Sequence, residues 1–126
     1  MKDAELDLLI EELESRADMT VADFDGVVHA LSFLLKDKVP KTLTAQQISG
    51  TDGAIRVADD SYPNWSVHIH GRANDKDGHW NCTLRENDVR DNDAAIGRGR
   101  SPVLAQSILA AVLHLSMTLY DAPDAS

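Results

Sequence analysis

The sequence predicts an α+β domain: two N-terminal helices, a small antiparallel sheet of two to three strands containing a β-hairpin, and a long C-terminal helix packed on that sheet. Three observations carry this. Apolar residues recur at helical spacing before residue 36. Apolar and polar residues alternate over Trp65–His70 and again over His79–Arg85. A final apolar run, Pro102–Leu119, is too long for a strand and rich in alanine. The 126 residues suit one domain, 1–126, and 43% are hydrophobic, enough for a buried core.

Leu6, Leu9, Ile10 and Leu13 form one stripe and predict a helix over Asp3–Arg16, with acids in its first turn and Arg16 in its last. Thr20-Val-Ala-Asp23 has capping-box spacing and opens a second helix. Phe24, Val27, Val28, Leu31, Leu34 and Leu35 form its stripe, and it ends near Lys36–Lys38 ahead of Val39-Pro40. Thr44-Ala-Gln-Gln47 can cap one short further turn. Thr51-Asp52-Gly53 signals a turn, Ala54–Val57 a short strand, and Asp59-Asp60-Ser61 another break.

The hairpin follows. Trp65, Val67 and Ile69 share one face with Trp80, Cys82 and Leu84; Ser66, His68 and His70 share the other with His79, Asn81, Thr83 and Arg85. Pairing Gly71 with Gly78 sets Ile69 against Trp80, Val67 against Cys82 and Trp65 against Leu84, and a one-residue slip destroys that agreement. Arg85–Asp93 reads as a charged loop and Ile96 as the start of a short extended piece. Ser101-Pro102 opens the last helix, with Ser as cap and Pro at the first position. If helices cover both sheet faces, the layers read α/β/α.

The charge is −9, and nine acids stand against Lys2 and Arg16 between Met1 and Asp25. Such a field repels phosphates and anionic lipid, so nucleic acid is not the expected partner. The acidic segment is a solvated helix face or a docking surface for a basic partner. A sharper form of the second reading is imitation of nucleic acid by Glu11, Glu12 and Glu14. Cys82 is the one cysteine, which excludes an intramolecular disulfide. No secretory signal is visible, and a reducing cytoplasm is expected. The final apolar run carries Gln106, Ser107, His114, Ser116 and Thr118, which argues for a core helix over a membrane span.

From Trp65 onward the chain resembles the phage ABA sandwich family of small prophage-encoded proteins. The likeness lies in Trp65-Ser-Val-His-Ile69, in His79-Trp-Asn-Cys-Thr-Leu84, in Ser101-Pro-Val-Leu-Ala105 and in Ile108-Leu-Ala-Ala-Val112. It covers about half the chain and leaves out the two N-terminal helices. The resemblance implies a fold and a phage or prophage origin; it supplies no catalytic residues.

Two constellations are candidate sites. The expected register sets His70 opposite His79 with His68 one pair further along, so three imidazoles converge as zinc or other transition-metal ligands. The competing reading is a polar hairpin face. Gly97-Arg-Gly-Arg100 running into Ser101 places Arg98, Arg100 and Ser101 as an anion site at a helix start. The competing reading is a connection whose arginines pair with nearby acids. Cys82 reads as a buried, inert thiol. No nucleophile–base motif is present, so the leading expectation is a non-enzymatic accessory or protein-interaction protein. The apolar surplus of the last helix and hairpin suggests a homodimer. The alternative is a metal-binding protein or metal-dependent enzyme using His68, His70 and His79.

Overall fold

The first apolar stripe folds as α1, Asp3–Ser15, with Leu6, Ile10 and Leu13 buried. The structure is a computed structural model describing residues 3–35, 43–63, 65–71, 80–86 and 96–121. The second stripe begins as a 3₁₀ turn, Val21–Phe24, and continues as α2, Asp25–Leu35. At its start the Asp23 carboxylate accepts the Thr20 N–H at 2.9 Å. The expected Lys36–Lys38 terminus lies outside the described residues. The Thr44 box forms as written: Thr44 Oγ1 accepts from the Gln47 N–H and Gln47 Oε1 from the Thr44 N–H, opening α3, Ala45–Ile48.

The strand expected at Ala54–Val57 is instead part of a helix, α4, Thr51–Ser61. Ala54, Val57, Ala58 and Ser61 repeat at helical spacing and are all buried. Gly53, read as a turn glycine, is there for space. A Cβ on it would fall 1.7 Å from the Gln47 carbonyl oxygen, so only glycine lets α4 start so close beneath α3.

Three strands follow: β1, Trp65–His70; β2, Trp80–Glu86; and β3, Ile96–Ser101. They form one antiparallel sheet in the order β1-β2-β3. The hairpin register differs from the expected one by two residues. Ile69 faces Cys82, Val67 faces Leu84 and His70 faces Asn81. In this register Gly71 comes opposite Trp80, whose ring lies over it; a Cβ at position 71 would fall 2.4 Å from Trp80 Cε3. A two-residue shift preserves parity, so the apolar face keeps its membership.

The final helix is α5, Leu104–Asp121, starting two residues later than the sequence suggests. Ser101 ends β3, and its hydroxyl accepts the Val103 N–H at 3.1 Å. α5 packs chiefly on β3, and the reason is in the glycines. A Cβ on Gly97 would fall 2.6 Å from the Ala111 carbonyl oxygen, and one on Gly99 would fall 2.1 Å from that of Ser107. Gly-x-Gly is therefore a strand that a helix backbone rests on, not a flexible loop. On its other sides α5 meets α1, α2 and α4. Gln106 Nε2 donates to the carbonyls of Leu13, at 2.9 Å, and of Arg16, joining α5 to the end of α1. The Tyr62 and Ser116 hydroxyls share a buried hydrogen bond of 2.7 Å beside the end of α4.

The layers thus run sheet, α5, outer helices. Among the described residues the second sheet face is uncovered, so the α/β/α order is replaced by helices on one face only. Burial of α5 on all sides explains its composition: Ile108, Leu109, Val112, Leu113 and Leu115 are each fully buried, worth about 1.5–3 kcal/mol apiece. The apolar residues of the last helix are largely buried inside the chain, whereas Trp80 on the hairpin stays exposed. Among the described residues no helix is long and apolar enough to cross a membrane.

Candidate functional site

The uncovered face is built by parity. β1 turns Val67 and Ile69 toward the helices and Ser66, His68 and His70 away from them. β2 buries Cys82 and Leu84 and turns Asn81, Thr83 and Arg85 outward. β3 buries Gly97, Gly99 and Ser101 and turns Ile96, Arg98 and Arg100 outward. Cross-strand pairing arranges these side chains in rows. One row is His70, Asn81, Arg100; the next is His68, Thr83, Arg98; the third is Ser66, Arg85, Ile96. His68, His70, Asn81, Arg85, Arg98 and Arg100 are all exposed. Rows two residues apart lie about 7 Å from each other along the strands.

The structure places the proposed histidines as follows. His68 and His70 share the open face, but His70 faces Asn81 rather than His79. His79 lies outside the described residues. Among the described residues, no three of His, Cys, Asp and Glu are grouped to hold a metal ion.

Of the proposed anion ligands, Arg98 and Arg100 come together at alternate positions of β3. Ser101 does not join them: it is fully buried on the opposite face, its hydroxyl taken by the Val103 N–H and lying 3.2 Å from Gln106 Nε2. Among the described residues Arg85, Arg98 and Arg100 make no ion pair; the ion pairs there are Arg16 with Asp18 and Asp23, and His114 with Glu14. Sequence reasoning put Arg85 and Asn81 on a polar face without linking them to Arg98 and Arg100. The link needed β3 to be read as a strand, and its two glycines hid that.

Glu14, one of the acids of the N-terminal cluster, reaches this region from α1. Its Oε2 accepts the Arg100 backbone N–H at 3.2 Å, and its Oε1 lies 3.7 Å from His114 Nε2 on α5. A groove of about 310 Å³ opens beside β3, with Glu14, Ile96, Arg98, Arg100, His114 and Thr118 in its walls. Cys82 is enclosed beneath the sheet, and burial pushes its thiol up to about 11. A face of arginine, histidine and amide groups can bind anions through charge-assisted hydrogen bonds. The chain matches no family model, no curated protein and no solved structure.

Proposed function

We propose that the protein is a non-enzymatic, cytoplasmic interaction protein that offers the open face of its sheet to an acidic partner. One observation carries this reading: three exposed arginines and two exposed histidines lie in register on one sheet face of a chain whose charge is −9. Charge segregated in this way selects and orients a partner.

An acidic protein fits better than nucleic acid. Single-stranded nucleic acid is held by aromatic stacking, and the described residues of this face include no aromatic ring other than imidazole. Duplex DNA carries about one charge per 1.7 Å, which the acidic remainder of the molecule repels more strongly than a few carboxylates on a peptide. The likeness of Trp65 onward to the phage ABA sandwich family supports a phage or prophage setting. The lone, buried Cys82 suits a reducing compartment.

The test is fluorescence anisotropy with labelled poly-L-glutamate at low and at physiological salt. The wild-type chain is expected to bind saturably and to weaken with salt. Arg85→Glu/Arg98→Glu/Arg100→Glu is expected to bind at least about tenfold more weakly, while Arg56→Glu on α4 changes little. Equal binding by wild type and the triple variant would overturn the reading.

A further inference from the structure

We propose that the outer edge of β3 receives an extended acidic segment of a partner protein as a fourth strand, its alternate carboxylates set against Arg98 and Arg100. The inference rests on the reading of the open face as a seat for an acidic partner, and adds how that partner is held.

β3 is an edge strand. The Arg100 N–H donates to Glu14, which lies outside the sheet, so this residue turns its backbone groups away from β2. In an antiparallel ladder that direction alternates, and Arg98 presents its N–H and C=O on the same outer side. Such an edge is a template for another chain. The Glu14 carboxylate already demonstrates that the Arg100 donor takes an acceptor from beyond the sheet; a carbonyl of an added strand displaces Glu14 and takes over that donor. The groove of about 310 Å³ beside β3 provides room.

Register then decides the chemistry. A strand added to β3 extends the existing rows, so its outward side chains stand opposite Arg98 and Arg100. Residues two apart in an extended segment are about 7 Å apart, the same spacing as those two arginines. Carboxylates at alternate positions therefore meet both. The side chains between them point toward the groove that His114 and Thr118 help to line. A second copy of β3 is the wrong occupant, because it would oppose arginine with arginine. β1, the other edge, carries Ser66, His68 and His70 on this face and no arginine.

The experiment uses the full chain and three labelled peptides: alternating Glu-Val, the same sequence with N-methylated backbone amides, and alternating Lys-Val. The Glu-Val peptide is expected to bind and to slow hydrogen exchange of the Arg98 amide. The N-methylated peptide, which cannot pair, is expected to bind at least about tenfold more weakly, and so is Glu-Val to Arg98→Glu/Arg100→Glu. An unchanged thermal midpoint confirms that this variant is folded. Tight binding of the N-methylated peptide, still sensitive to Arg98→Glu/Arg100→Glu, would remove strand addition and leave the basic face standing. Lys-Val binding as well as Glu-Val, or no effect of the arginine reversal, would remove both.

Discussion

Burial decides the chemistry of Cys82. In the unfolded chain its thiol ionises near the ordinary value of 9.0; beneath the sheet it does not do so until about 11, because the apolar surroundings penalise the thiolate. Below pH 9 both states keep the proton and stability is indifferent to it. Between 9 and about 11 the unfolded chain gains a charge that the folded chain withholds, so stability falls. Tyr62 adds to the decline at higher pH, since burial raises its pKa too. The urea midpoint is expected to drop across this range, with a shallower slope for Cys82→Ala. Native protein should resist iodoacetamide that alkylates the urea-unfolded chain quickly. At this scale the sequence was informative: alternation alone placed Cys82 on the apolar face. It was less so for Ser101, where Ser-Pro reads as a helix cap; the residue instead ends a strand, faces inward, and its hydroxyl accepts the N–H of Val103 just ahead of the helix.

Elements were legible wherever apolar spacing controlled them and illegible wherever glycine did. The stripes of α1 and α2 and the alternation of β1 and β2 were plain. α4 was not, and β3 was only in part: its start at Ile96 was expected, but Gly53, Gly97 and Gly99 carry turn signals in the sequence while serving close packing in the fold. Nothing local reveals that α3 or α5 lies against them. The two-residue register shift likewise sets a glycine, Gly71, against a ring the sequence assigned to Ile69. This has a thermodynamic signature. Replacing glycine by alanine in a free strand stabilises it by reducing unfolded-state entropy. Gly99→Ala is instead expected to lose about 1–3 kcal/mol in urea unfolding, because its methyl group overlaps the Ser107 carbonyl. Arg98→Ala, one residue away and exposed, is expected to change stability by less than about 0.5 kcal/mol.

The whole molecule is organised around α5, buried between the sheet and the outer helices. A segment beginning at Trp65 leaves one side of that helix without cover. It is expected to lack a cooperative thermal transition and to bind the dye ANS, whereas the full chain melts cooperatively; a cooperative melt of the segment would show that the outer helices are dispensable. The charge pattern belongs to this scale as well: Arg85, Arg98 and Arg100 gather on the open sheet face, and Glu14 of the acidic N-terminal segment reaches its edge, a juxtaposition that only the fold brings into view. Parity along β3 has one more consequence. Gly97, Gly99 and Ser101 are held by what lies beneath them, while the side chains of Arg98 and Arg100 are exposed on the open face. The strand therefore divides into alternate positions with opposite mutational freedom, and the preference of the open face can be rewritten through Arg98 and Arg100 without asking the core to repack.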